Sequence, residues 1–226
     1  MVRIGHRGAA GHAPENTVQA IEKAIALGAD LVELDVRRSL DGHLVIIHDE
    51  GVDRTTDGHG AVAELTLSEL GRLTIANDLR IPTLRDALKA AAGHVGLLLE
   101  LKAEGLAEQV WTEVRTCRAT GVLIYASFFH AELLRIRETN PGAQTMALLE
   151  AVPVHPTTFA IDSQATHVGL AFGCLTAPFV QALHHADLQV FTYTVNEPAD
   201  IARARKVGVD GIISDFPDRI EERNLL

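Results

Sequence analysis

The strongest constraint on this fold is a repeated alternation of short apolar, strand-like runs with helical segments of ten or so residues. Strands are read as beginning near Val2, Leu31, Gly96, Val122, Ala143, His167, Gln189 and Gly211. Between them the spacing predicts helices over Val18 to Leu27, Leu84 to Ala92, Leu106 to Ala119, Ala131 to Thr139, Thr157 to Ala165, Ala177 to Ala186 and Ala199 to Val207. Alternation of this kind implies parallel pairing through right-handed crossovers, and eight units suit closure into a (β/α)8 TIM barrel. An open doubly wound sheet is the alternative. The 226 residues fit one barrel domain spanning 1–226, with a small insertion at about 49–80 after the second barrel strand. That insertion holds a capping box, Thr66-Leu67-Ser68-Glu69, ahead of a short helix Leu67 to Leu73. It carries too few apolar residues for a core of its own.

The stretch Leu31 to Asp49 concentrates the polar chemistry. In a pleated strand, Val32, Leu34 and Val36 face one way while Glu33 and Asp35 face the other. Asp41-Gly42 signals a hairpin whose return arm is Leu44 to Ile47. With Leu40 and His43 flanking the turn, the expected pairs are Arg38 with Val45, Val36 with Ile47 and Asp35 with His48. That register sets an imidazole beside two acids.

A barrel carries its chemistry at the C-terminal strand ends, and polar residues gather there: His6-Arg7, Glu33, Asp35, Glu100, Lys102, Ser127, Tyr193 to Asn196 and Ser214-Asp215. Glu33, Asp35 and Glu100 are acids on strands expected to be buried, which demands a metal or an ion-pair network. Their hard oxygens suit Ca²⁺ or Mg²⁺ rather than Zn²⁺, since no Cys or His cluster has zinc-like spacing. His6 and His48, each leading into a mouth loop, can divide general base and general acid duty. Arg7 and Lys102 can neutralise a phosphodiester, or simply balance the acids. Tyr193 is either a pocket wall or a core aromatic.

Composition narrows the partners. Twenty Lys and Arg against thirty Asp and Glu give a net charge of −10, with no basic patch for a nucleic acid. Anions are repelled at long range, so a phosphate site must rely on local cations or a metal. No stretch approaches a membrane span, and Met1 leads straight into the first strand, so a cytoplasmic location is expected. Cys117 and Cys174 lack metal spacing and read as small buried hydrophobes.

His6-Arg7-Gly8, Pro14-Glu15-Asn16-Thr17, Glu33-x-Asp35, His48-Asp49, Arg54-Thr55-Thr56-x-Gly58, Ile81-Pro82-Thr83-Leu84, Glu100-Leu101-Lys102, Ser127-Phe128 and the run Gly208 to Asp215 occur in order between Ile4 and Pro217. As a set they resemble the glycerophosphodiester phosphodiesterase family, related to the phosphoinositide phospholipase C-like phosphodiesterases. The resemblance implies metal-dependent hydrolysis of glycerophosphodiesters to sn-glycerol 3-phosphate and an alcohol. It implies one divalent ion, Ca²⁺ or Mg²⁺ with Mn²⁺ as a further choice, at Glu33, Asp35 and Glu100. His6 and His48 match the acid/base pair, Arg7 and Lys102 the phosphate contacts, and Glu15 a supporting residue near the metal. Phe128 and Tyr193 are candidates for the substrate pocket, although Tyr193 stands where a tryptophan is common. A lysophospholipid substrate is the alternative, and a non-catalytic metal-binding barrel a remoter one. Head-group preference and oligomeric state are not written in the sequence.

Overall fold

The computed structural model describes residues 1–220. Eight parallel strands run in chain order around a closed ring: β1 (Val2–Gly5), β2 (Leu31–Arg38), β4 (Gly96–Leu101), β5 (Leu123–Ser127), β6 (Gln144–Leu149), β7 (His167–Ala171), β8 (Gln189–Tyr193) and β9 (Gly211–Ser214). Pairing of β1 with both β9 and β2 closes it, which settles the barrel against the open sheet. The strand β3 (Leu44–Ile46) is the antiparallel hairpin arm on β2. Helices α1 (Val18–Ala26), α3 (Leu84–Ala91), α4 (Ala107–Thr116), α5 (His130–Thr139), α6 (Thr158–Asp162), α7 (Ala177–His184) and α8 (Pro198–Val207) fill the crossovers. The short α2 (Leu67–Leu70) lies in the insertion.

The two-residue period of the strands builds the interior in layers. Ile4, Leu31, Leu98, Ile124, Met146, Phe191 and Ile213 form an apolar plug inside the ring. Alternate residues such as Leu34, Leu99 and Tyr125 face outward and pack beneath the helices. One pleat further along, the same inward faces carry His6, Glu33, Glu100, Tyr193 and Asp215. The plug therefore becomes the floor of a polar mouth.

Local signals explain most boundaries. Thr17 accepts from Ala20 N at the start of α1, while Thr66 and Thr83 close reciprocal capping boxes with Glu69 and Asp86. Gly208, with φ 93°, ends α8 in the left-handed region. The strand expected over Gln189 to Val195 ends at Tyr193, and the Leu67 helix at Leu70.

The hairpin register differs from expectation by one residue. Val36 pairs with Ile46, Arg37 with Val45 and Arg38 with Leu44. Ser39 N donates to His43 O at 2.9 Å and Gly42 N to Ser39 O at 3.0 Å, so the loop has three residues, Leu40-Asp41-Gly42. Gly42 takes φ 85°, the left-handed position such a loop needs. Asp35 is consequently opposite Ile47, whose N–H it accepts, and His48 is not its cross-strand partner.

Following the hairpin, Val52, Val62, Leu70, Ile75 and Ile81 join Val45 and Ile47 in a buried cluster. The insertion thus has a small apolar centre, but it borrows the β3 arm to build it.

Candidate active site

The three acids meet. One carboxylate oxygen each from Glu33, Asp35 and Glu100 lies within 4.8 Å of the others. Parallel register explains the convergence, because Asp35 is the lateral neighbour of Glu100 and Glu33 lies one inward pleat below. The Glu33 and Asp35 side chains are buried. Two cations answer them from the rim. Lys102 Nζ donates to Glu100 Oε1 at 2.8 Å and stands 3.6 Å from Asp35 Oδ1, while Arg7 Nε stands 3.4 Å from Asp35 Oδ2.

Those cations do not satisfy the cluster. Glu33 Oε2 accepts from Arg7 N at 2.8 Å, but Glu33 Oε1 is buried without a hydrogen-bond partner. Burial, then Asp35 and Glu100, push the Glu33 carboxyl well above the usual range. Burial and the Asp35 charge likewise raise Glu100 to about 7, against the pull of Lys102. Three crowded acids with an orphaned oxygen are what a divalent cation would relieve, and all-oxygen donors suit a hard one. The residues fit a metal.

Both histidines are held from behind by carboxylates. His6 Nδ1 lies 2.6 Å from Asp215 Oδ1, and Asn196 Nδ2 donates to Asp215 Oδ2 at 2.6 Å. Asn196 Oδ1 in turn accepts from Asp215 N and Ser214 Oγ. Against the burial that would raise it, His6 and Asn196 hold Asp215 below its usual value. With Nδ1 engaged, His6 presents Nε2 to the mouth. His48 is oriented the same way, its Nδ1 lying 2.6 Å from Asp49 Oδ1. Burial lowers the His48 pKa below 6.5, although Asp35 and Asp49 pull the other way.

One arginine from the insertion joins the two halves. Arg54 donates to Asp49 through Nε at 2.6 Å and Nη2 at 3.1 Å, and to Glu15 through Nη1 at 2.9 Å and Nη2 at 2.8 Å. Glu15 Oε1 also accepts from Arg7 Nη1 at 2.7 Å. Burial opposes ionisation of Glu15, yet Arg54 and Arg7 bring it down to about 2. A continuous relay runs His48, Asp49, Arg54, Glu15, Arg7. Arg7 reaches its place because the His6-Arg7-Gly8 turn enters left-handed backbone, with φ 51° at Arg7 and 90° at Gly8. A Cβ on Gly8 would meet the Ala20 Cβ at 2.5 Å.

Asn16 stands just before the Thr17 cap of α1. It takes φ 57°, donates Nδ2 to Asp35 Oδ2 at 2.7 Å, and accepts Asp35 N at 3.3 Å. The Pro14 to Thr17 stretch therefore clamps a candidate ligand while Thr17 caps α1. At the opposite wall, the Phe128 and Tyr193 rings meet edge-on at 6.3 Å, and Tyr193 Oη donates to Leu149 O at 3.3 Å. His6, Glu33, Glu100 and Tyr193 line a cavity of about 30 Å³ above Leu98, Met146 and Ile213.

Residues 6–219 match the glycerophosphoryl diester phosphodiesterase family over nearly the whole barrel. The chain belongs to this family. Among its relatives, YhdW of Bacillus subtilis (strain 168) is 35% identical over 236 residues, covering 97% of this chain and 96% of the relative. A glycerophosphodiester phosphodiesterase of Caldanaerobacter subterraneus subsp. tengcongensis is 33% identical over 230 residues, covering 96% and 95%. In three dimensions, an Oleispira antarctica phosphodiesterase solved with the product sn-glycerol-3-phosphate superposes with a TM-score of 0.91 at 28% identity, covering 97% of this chain and 95% of that one. The glycerophosphodiester phosphodiesterase family supplies the reaction class, phosphoric diester hydrolysis, and the acid cluster is compatible with a divalent ion.

Proposed function

We propose that this mouth hydrolyses sn-glycerol-3-phosphodiesters to sn-glycerol 3-phosphate and an alcohol. The observation that carries the reading is the trio Glu33, Asp35 and Glu100, set beside two histidines that are each backed by a carboxylate. Glu33, Asp35 and Glu100 would hold Mg²⁺ or Ca²⁺, with Mn²⁺ as a further fit. Such an ion supplies Lewis acidity toward phosphoryl oxygens and lowers the pKa of a bound hydroxyl. Product binding in the Oleispira antarctica enzyme supports a small-molecule diester as substrate.

Arg7 and Lys102 take the phosphate oxygens, and Glu15 keeps Arg7 aimed. We assign His48 the base: Asp49 engages its Nδ1 and leaves Nε2 to accept a proton, and burial lowers its pKa, which favours the neutral ring. His48 removes the proton from the attacking water as the new P–O bond forms; where the neighbouring glycerol hydroxyl attacks instead, water must afterwards open the cyclic phosphate to give sn-glycerol 3-phosphate. His6 then donates its Nε2 proton to the departing alkoxide as the old P–O bond breaks. Phe128 and Tyr193 wall the glycerol end. On this reading the barrel and its insertion act as one domain, since Arg54 of the insertion belongs to the catalytic relay.

One observation favours a second substrate. The loops after β5 and β6 expose Phe128 at 41%, Phe129 at 40%, Val152 at 61% and Val154 at 92%. Apolar side chains at a mouth can receive an acyl chain, as in a lysophospholipid. Glycerol 3-phosphate release from glycerophosphocholine, set against lysophosphatidylcholine turnover under the same conditions, tests both readings. The proposal expects the first to be faster by about tenfold or more. Preference for the second would move the assignment to lysophospholipids, and turnover of neither would end it.

A further inference from the structure

Beside the catalytic mouth lies a second hollow, of about 340 Å³, lined among others by Arg37, Arg38, Glu50, Lys102, Glu104 and Phe129. It adjoins the site through Lys102, the same ammonium that bonds Glu100 at 2.8 Å. The pleat of β2 explains why Arg37 is here. Glu33 and Asp35 face inward, so Arg37 is the next residue on that face, at the level of the rim.

Arg37 is half-buried, and its Nε donates to the backbone oxygen of His48 at 2.8 Å. Arg38 donates Nη1 to Gly105 O at 3.3 Å. Each guanidinium thus spends one N–H on a carbonyl, and neither forms an ion pair among the described residues. That sets them apart from Arg7 and Arg54, each of which pairs with carboxylates. Two guanidinium forks with free N–H groups beside a cavity are suited to a planar carboxylate. Glu50 and Glu104 line the same hollow and are exposed, so the wall also offers negative charge, suited to an ammonium.

We propose that this hollow, on the reading of the mouth given above, is the subsite for the alcohol half of the diester, and that it selects an alcohol bearing a carboxylate next to an ammonium, as in serine. Arg37 and Arg38 take the carboxylate, and Glu50 and Glu104 face the ammonium. Phe129 covers the carbon skeleton. Choline or ethanolamine would satisfy the two glutamates and leave the arginine forks unmatched.

Glycerophosphoserine and glycerophosphoethanolamine differ by that carboxylate alone, so the ratio of their kcat/KM values isolates the subsite. The measurement uses the full chain loaded with Mg²⁺, as wild type, Arg37→Gln and Arg38→Gln. The wild type is expected to prefer the serine diester by about tenfold or more, and each variant to bring the ratio toward one. Any general damage from losing the Arg37 contact to His48 cancels in the ratio. A wild-type ratio of one or below, or a ratio untouched by both variants, overturns the proposal.

Should neither diester be hydrolysed, the reading of the reaction fails, and calorimetric titration of both diesters into the same three proteins decides the subsite alone. Tighter binding of the serine diester that is lost in Arg37→Gln upholds it. Equal affinities overturn it.

Discussion

His6 Nδ1 and Asp215 Oδ1 stand 2.6 Å apart, although 209 residues of chain separate them. Closure of β9 onto β1 makes the contact, since Gly5 is the register partner of Ser214 and each carries its functional neighbour one residue on. Asp215 fixes the ring orientation of His6 and, by accepting from Nδ1, supports the doubly protonated ring that can give up its Nε2 proton. Asp215→Asn removes that negative charge, and an amide N–H turned toward Nδ1 would keep a proton off it. We expect kcat to fall about 10²-fold, within the range for a positioned proton-transfer group, with KM nearly unchanged. A rise in KM at constant kcat would place Asp215 in substrate binding instead.

Arg54 grips Asp49 and Glu15 with four N–H···O contacts between 2.6 and 3.1 Å. Four such contacts exceed the three N–H groups of an ammonium, so lysine is not a conservative replacement. Arg54→Lys should lower kcat about tenfold by loosening His48 and Arg7 together. In a double-mutant cycle with Glu15→Gln, the two losses should be far from additive. Additive losses would show that the relay does not couple the two sides.

The pH profile reports on His48. Its pKa is lowered chiefly by burial, while Asp35 and Asp49 oppose the shift. A base must be neutral, so activity is present above the lowered value and lost as pH falls through it. The acid limb of kcat/KM should therefore lie below pH 6.5. Asp49→Asn removes one influence that raises the pKa, and the limb should move to lower pH. Movement to higher pH in the variant would contradict the assignment of His48 as base.

A structural prediction concerns Glu132, which is fully buried in α5 and accepts the backbone N–H groups of Gly105, Leu106 and Ala107 at 2.8 to 2.9 Å. It caps α4 from a neighbouring helix and also pairs with Arg135. Burial raises its pKa, but the three N–H groups and Arg135 outweigh that and leave it below 4.5. A depressed carboxylate contributes stability above its unfolded pKa and loses it as pH falls through the folded one. Glu132→Ala should cost about 3 kcal/mol at pH 7, read by urea denaturation, and the gap from wild type should narrow toward pH 3. A gap under about 0.5 kcal/mol at pH 7 would mean water replaces the cap.

The barrel and the acid trio were legible in the sequence because both depend on local periodicity. Period-two alternation put Glu33 and Asp35 on one face, and Glu100-x-Lys102 repeated the pattern on the next strand. What stayed hidden was longer in range or conformationally special. The hairpin register depended on Gly42 accepting φ 85° in a three-residue loop, which Asp41-Gly42 alone does not distinguish from a two-residue one. The Asn16 side chain suits a helix cap by type, and only its positive φ turns it toward Asp35. Asp215, Asn196 and Arg54 find partners through ring closure or the folded insertion. The helical pattern gives no sign of the role of Glu132, because its partners lie on another crossover.

Metal binding tests the centre of the account most directly. Protein dialysed against chelator should release no glycerol 3-phosphate from glycerophosphoethanolamine, and Mg²⁺ or Ca²⁺ should restore turnover with one ion per chain. Glu33→Gln should weaken that restoration by about 10-fold or more. Full activity after chelation, or the same metal dependence in Glu33→Gln as in wild type, would contradict it.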